Sequence, residues 1–403
     1  MPKAGIVAAP HNDPMPRLLW LLCLVNLIIG SGAFVIGGIL TPIAQGLNIS
    51  VPAAGQAMTA YALSTALLAP LVLLATGRWP RKRALLMALA LFTLGNLLCA
   101  LSSSFAMLLA GRVLMGLGAV FTPIAAGIAV ALVEPAKRGK ALALTFLGMS
   151  LSYAIGVPLG SWLGLAYEWH TPIWLVTGLS LLALIGAALW VPKDIAAPGA
   201  SFAGVPALLA RRDVLSVLLL TLAYFIAIFA VFSYIGPVLQ TLTPMSREQQ
   251  ALTLALFGLS GVAGTLIGGV ANDRFGARCT LLVQLTLLGA MMALLPLTQG
   301  SWPALVLTFI VWGLAGFGMM VPQQSRLAAM APAQAPMLLS LNTSMLYLGT
   351  AAGAIVGGAF AARHGFAQLA WAGLPFVAFG LAILWAVHTS GPAVTVDRKE
   401  KVA

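Results

Sequence analysis

Residues 146–164 read FLGMSLSYAIGVPLGSWLG, and every fourth position from 148 onward is small: Gly148, Ser152, Gly156, Gly160 and Gly164, with Pro158 set among them. In water this would be a poor helix, because each Gly costs about 1 kcal/mol relative to Ala and an interior Pro about 3 kcal/mol. In lipid the same features are useful. Small residues four apart let a second helix backbone approach closely, and neighbouring helices can satisfy the carbonyl that the proline strands. The stretch predicts a membrane helix with one packing and bending face.

Working outward, the composition agrees. Of 403 residues, 61% are apolar and only 7% charged, against about 25% charged in a soluble domain. Mean hydropathy is +1.01. Apolar windows of about 20 residues mark membrane spans, and twelve occur, near residues 18–42, 54–77, 84–101, 106–133, 141–165, 172–191, 214–239, 249–271, 279–298, 303–325, 337–361 and 369–388. The predicted fold is an all-α membrane protein with two pseudo-symmetric six-helix bundles, 18–191 and 214–388. A linker, 192–213, joins them, and tails 1–17 and 389–403 flank them.

Short loops rich in Lys and Arg stay in the cytoplasm. With the N-terminus inside, 18 of the 21 basic residues fall on one side, including Arg78, Arg81, Lys82, Arg83, Lys137, Arg138, Lys140, Arg274, Arg278 and Arg326. The other side holds only Arg247 and Arg363, and Arg112 lies within a span. The net charge of +12 is thereby accounted for by topology, with no need of nucleic acid. Both termini are expected in the cytoplasm, and no signal-peptide cleavage is expected after the polar first seventeen residues. Cys23, Cys99 and Cys279 have neither disulfide nor metal spacing.

The second half repeats the first. GRWPRKRALL (77–86) matches DRFGARCTLL (273–282) at an offset of 196, GLGAVFTP (116–123) matches GFGMMVP (316–322) at 200, and Gly349, Gly353, Gly357 and Ala361 repeat the spacing of four. Paired six-helix halves are a transporter architecture. DRFGAR, its copy GRWPRKR, GRVLMGLG (111–118), GVPLG (156–160), LNTSMLYLGTAAGAIVGG (341–358) and GQAMTAYALSTALLAPL (55–71) together resemble the major facilitator superfamily. Within it the likeness is to the twelve-helix drug/proton antiporters, in the bacterial branch of drug, sugar and purine-nucleoside exporters.

That resemblance implies a latch in the DRFGAR loop, with Asp273, Arg274, Gly276 and Arg278 holding the bundles in an outward-facing arrangement. The alternative is a plain basic turn. The first-half copy has Gly77 in place of the acid and Pro80 in place of the glycine, so Arg78 and Arg81 act either in a latch or as topological anchors. An arginine at the place of Arg112 lines the cavity in the resembling family; otherwise it snorkels to the outer interface. The branch also carries a glutamate in its first span, where GSGAFVIGGILTP has Ala33. The glycine line is taken to face the eighth span at Gly261, Thr265 and Gly269, and its copy to face the second span at Ala60 and Ser64, as sliding contacts.

Polar residues inside apolar spans need partners or water, which nominates Arg112, Asn26, Tyr61, Tyr224, Asn342 and Tyr347 as cavity residues. No acid falls at mid-membrane, so a coupling proton, if used, would reside on a span-end group such as Asp213 or Glu134. No catalytic, metal-binding or nucleotide-binding pattern occurs, and no cofactor is expected. The expectation is a monomeric inner-membrane transporter that exports a small neutral, weakly polar or anionic molecule, with protons as the candidate coupling ion. Its alternatives are an uncoupled facilitator and a non-transporting sensor.

Overall fold

The computed structural model describes residues 17–193, 195, 204–331 and 334–386, which are helical with short connections and contain no strand. Most of both tails and the middle of the linker lie outside the described residues. Eleven helices are long and apolar enough to cross a membrane: Arg17–Gly38, Val51–Ala75, Arg81–Ala100, Phe105–Ala131, Pro135–Ala166, His170–Trp190, Arg212–Phe232, Arg247–Thr298, Trp302–Met330, Met337–His364 and Leu369–Ala386. Arg247–Thr298 has 52 residues. At about 1.5 Å per residue this is more than twice the bilayer's ~30 Å core. Gly276 interrupts it with φ 80° and ψ 157°, a backbone open essentially to glycine alone. It therefore holds two crossings, 247–275 and 277–298, and the eleven helices make twelve spans.

Local chemistry sets the span ends. Ser50, Ser104 and Ser246 accept from the backbone N–H three residues on, and Gln249 completes a capping box with Ser246. These caps begin the second, fourth and eighth spans, all at the end remote from the basic loops. At that end the first span changes to a single 3-10 turn at Val35–Gly38 and continues as Leu40–Gly46. The seventh breaks after Phe232 and continues as Ile235–Leu242. Pro42 and Pro237 sit just beyond the breaks, and each lacks the N–H that would bond four residues back.

Spans 1–6 pack with one another, as do 7–12, and the bundles meet through the second and eleventh, fifth and eighth, and first and seventh spans. The glycine line does not make this junction. A Cβ on Gly148 would strike the Cys23 carbonyl, one on Gly156 the Ser31 hydroxyl, one on Gly160 Val35 and one on Gly164 Ile39. The face thus follows the first span turn by turn, within its own bundle. Gly349, Gly353 and Gly357 likewise lie on Leu222, Ile226 and Ala230 of the seventh span, and Gly261 and Gly264 meet Phe317 and Leu314 of the tenth. The expected sliding contacts are instead welds inside each half. The Pro158 distortion appears as a π-helical turn at Ser152–Gly156, which turns Tyr153 and Ala154 outward against Gly258 of the eighth span.

Candidate functional site

The bundles are sealed at the end that bears Ser50, Ser104 and Ser246. Gly38 is the residue four before Pro42, and its free carbonyl accepts from Gln250 Nε2 at 3.1 Å and Ser161 Oγ at 3.2 Å. Gln250 also donates to Ser161 Oγ at 2.9 Å. Tyr234 donates to the Ala354 carbonyl at 2.9 Å and reaches the Pro52 carbonyl at 3.4 Å, with its ring against Gly55. At the rim, Trp162 Nε1 donates to Glu248 at 3.4 Å, while Arg247 pairs with Glu248 at 2.8 Å and stacks over Trp162. Apart from this rim pair, the seal is made of neutral hydrogen bonds and close backbone packing.

Beneath it lies an aromatic layer. Phe34 stacks on Tyr153 at 4.9 Å and meets Phe229 at 5.8 Å. Tyr153 lies edge-on to Phe317 at 4.7 Å and to Phe232 at 5.6 Å. Tyr61 and Tyr347 face each other across the bundle junction at 6.2 Å. The Tyr61 hydroxyl is buried and has no hydrogen-bond partner.

Arg112 is 1% exposed and sits under the Tyr61 ring, 4.8 Å from its centroid. Its Nη1 donates to the Gly32 carbonyl at 2.7 Å, Nη2 to Ala33 at 2.6 Å and Nε to Ala57 at 3.1 Å. Gly32 and Ala33 precede the 3-10 turn of the first span, so the guanidinium fastens the fourth span to the break in the first and to the second. It reaches neither carboxylate nor outer interface. The void beside it, lined in part by Asn96, Cys99 and Val176, has room for little more than one water molecule.

The remaining nominated residues lie within single bundles. Asn26 donates to the Thr145 carbonyl at 2.9 Å and accepts from Thr122 at 3.0 Å. Tyr224 donates to the Ala315 carbonyl at 2.5 Å. Asn342 accepts from Thr221 at 2.6 Å, and Thr221 in turn accepts from Gln323 at 2.8 Å. Of the six, the structure brings Arg112, Tyr61 and Tyr347 together and keeps Asn26, Tyr224 and Asn342 apart. Phe34, Tyr153, Phe317 and Gln250 were not singled out by sequence. The available signal for Gln250 was the proline four residues after Gly38, which frees a carbonyl that some donor must satisfy.

Among the described residues at the opposite end, the basic loops make no hydrogen bond or ion pair across the bundles. Arg83 stacks on Trp79 and Arg274 on Phe275, Asp273 accepts from Asn272 at 3.2 Å, Arg78 is exposed, and Arg81 lies near Gly127 of its own half. Asp213 is held by Arg211 through Nη2 at 2.7 Å and Nε at 3.2 Å, and Glu134 is exposed.

Residues 22–245 and 215–402 each match the Major Facilitator Superfamily. The inner membrane transport protein YdhP of Escherichia coli K12 is 33% identical over 341 residues, covering 83% of this chain and 87% of that protein. The uncharacterized MFS-type transporter YbcL of Bacillus subtilis is 28% identical over 375 residues, covering 93% and 96%. Among solved structures, a bacterial homologue of the human lysosomal transporter Spinster, inward-facing and occupied, superposes with a TM-score of 0.80 at 16% identity, covering 94% of this chain and 98% of that one. The human organic anion transporter MFSD10 gives 0.68 at 19%, covering 93% and 100%.

Proposed function

Because the chain belongs to the major facilitator superfamily and is a multi-pass membrane transporter, we propose that it exports a small molecule across a bacterial inner membrane by alternating access, as a monomer with both termini in the cytoplasm. The observation that carries this is the asymmetry of the bundle junction. It is sealed by Gln250, Ser161, Gly38 and Tyr234 at one end, and among the described residues it has no polar tie between the basic loops at the other. By the charge bias the second end is cytoplasmic, so the conformation is open inward, with the aromatic layer as its floor. Tyr61, Tyr347, Tyr153 and Phe34 offer stacking surfaces and the Tyr61 hydroxyl a free hydrogen-bonding group. The fixed positive charge of Arg112 beneath them disfavours lipophilic cations and favours neutral, weakly polar or anionic planar solutes. Asp273, Arg274, Gly276, Arg278, Arg78 and Arg81 form the latch that re-engages when the inner end closes.

Exchange for protons follows from the family likeness. A second reading, facilitation without ion coupling, is favoured by a specific observation: Arg112 is bonded to three carbonyls, no acid lies beside it, and Asp213, one of the two span-end candidates, is ion-paired. Everted vesicles tested with a panel of drugs, sugars and nucleosides identify the solute. Proteoliposomes with an imposed pH gradient then decide the coupling. Gradient-driven accumulation would establish exchange and exclude the facilitator; solute binding without movement would exclude transport.

A further inference from the structure

Three buried polar atoms at the inner end of the second bundle lack hydrogen-bond partners: Arg278 Nε, Arg326 Nη1 and Asn272 Oδ1. Helix register brings them together. In the eighth and tenth spans, Gly264 lies on Leu314 and Gly268 on Gly318, so the two run parallel at an offset of 50. One further turn of that face carries Asn272 level with residue 322, and a second brings Gly276 level with Arg326. From the ninth span, running the other way, Gln284 lies against Gly318, which sets residue 278 beside 324. Both registers place Arg278 next to Arg326, close enough for each to feel the other's charge. Asn272 donates its amide to the Asp273 carboxylate at 3.2 Å. An ionised carboxylate only accepts, so the free atom of Asn272 is its oxygen.

Two adjacent guanidinium groups repel, and burying unpaired N–H groups carries a desolvation penalty. Among the described residues the only ion pairs are Arg211–Asp213 and Arg247–Glu248, so no carboxylate neutralises the two arginines. Asp273 is exposed and bonded to Asn272, and Arg274, Arg278 and Arg326 outnumber it. An oxyanion removes both defects, since guanidinium forks match its oxygens. The surroundings of the pair decide where the ion comes from. Leu266, Ile267 and Val270, the exposed apolar residues of the eighth span, lie off the face that carries Gly264, Gly268 and Asn272. Around the arginines, Asp273, Arg274, Cys279, Gln324 and Ser325 are exposed instead, on the side that the charge bias places in the cytoplasm. The pair is therefore reached from water. Asn272 decides which ion is taken. A buried acceptor beside two cations calls for an anion that still carries a proton. Hydrogenphosphate donates through its P–OH group; sulfate, fully ionised at neutral pH, has nothing to donate and meets Oδ1 with a lone pair. A doubly charged tetrahedral ion also matches two cations better than singly charged, planar bicarbonate.

We propose that Arg278 and Arg326 form a cytoplasmic oxyanion site that takes one hydrogenphosphate ion, with Asn272 Oδ1 accepting from its hydroxyl. The site is separate from the aromatic layer and does not depend on what the chain transports. The test is binding of radiolabelled orthophosphate to the purified full chain at neutral pH and constant ionic strength, with unlabelled sodium phosphate and sodium sulfate as competitors. One ion per chain should bind saturably, and phosphate should compete about tenfold better than sulfate, the worth of one hydrogen bond to a charged group. Arg278→Gln and Arg326→Gln should each weaken binding about tenfold on the same grounds. Asn272→Leu should bring phosphate down to the level of sulfate and leave sulfate where it was. Arg138→Gln, an exposed basic residue of the other bundle on the same side, should change nothing. If a variant aggregates on size exclusion, the preference of the native chain for phosphate over sulfate carries the test. Absence of saturable binding overturns the proposal and leaves the arginines to water. Equal competition by the two ions in the native chain, or undiminished binding by Arg278→Gln and Arg326→Gln, also overturns it. An equal loss in Arg138→Gln overturns it in favour of diffuse attraction to the basic side.

Discussion

Arg112 Nη2 donates to the backbone carbonyl of Ala33 at 2.6 Å. Ala33 is the position at which the branch that the sequence resembles carries a glutamate, so the guanidinium here is bound by a main-chain carbonyl and meets no side-chain carboxylate at that residue. A carbonyl stabilises the guanidinium but neither binds nor releases a proton near neutral pH. At residue 33 the arginine therefore has no titratable partner.

Restoring the acid should therefore create pH dependence. Ala33→Glu places an acid two residues before the Val35–Gly38 break, within the region already bonded by Arg112. A carboxylate there would be the first acid beside the guanidinium. If the native chain is an uncoupled facilitator, uptake into everted vesicles by the variant should gain dependence on an imposed pH gradient. A native chain that already accumulates solute against its gradient would locate coupling elsewhere.

Tyr61→Phe separates binding from folding. The hydroxyl has no partner in the inward-open state, and an unsatisfied buried hydroxyl contributes no stability. The melting temperature in detergent should be unchanged or slightly higher. If the hydroxyl contacts solute, the apparent affinity should fall by about fivefold to tenfold, the worth of one hydrogen bond. An unchanged affinity removes Tyr61 from the solute's contacts.

Much of this was legible in the chain. Apolar windows gave the twelve spans, because they depend on residue type alone. Gly276 was read as a turn, and the structure shows why only glycine serves there. What periodicity could not give was the partner of each face. The line Gly148–Gly164 declares a close contact but not with which helix, and the contact is with the first span rather than the eighth. Polarity within a span was also ambiguous. Asn26, Tyr224 and Asn342 look like cavity residues in sequence, yet each has a carbonyl or hydroxyl partner inside its own bundle. The aromatic layer gathers single residues from several spans, and no local pattern records that.

The packing at Gly156 gives a pairwise test of the weld. A methyl there would overlap the Ser31 side chain, and overpacking of this kind costs about 1–3 kcal/mol. Gly156→Ala should lower the melting temperature and Ser31→Gly in the same chain should recover most of the loss. Gly148→Ala should not be rescued by any change at Cys23, because the obstruction is the backbone carbonyl. Failure of the Ser31 rescue would return the contact to another helix.

The junction contacts that test the proposed alternating access are at Gly258 and Gln250. Gly258 lies on the Tyr153 backbone across the bundles, and Gln250 donates to Gly38 and Ser161 at the sealed end. Removing two hydrogen bonds worth about 1 kcal/mol each shifts a two-state equilibrium about thirtyfold. Gln250→Leu should therefore populate the outward-open form, and Gly258→Leu should do so more strongly, by wedging the fifth and eighth spans apart. Leu254, buried beside Gly38 at the seal, can report this as Leu254→Cys in a chain whose own cysteines are replaced. Labelling by an impermeant thiol reagent added outside right-side-out vesicles should accelerate in both variants. Tyr224→Phe, which loses a bond of similar strength to Ala315 inside one bundle, should leave the labelling rate unchanged. If all three variants label alike, the bonds at Gln250 report general stability rather than a gate; if only the first two accelerate, the seal is the element whose breaking opens the transporter outward.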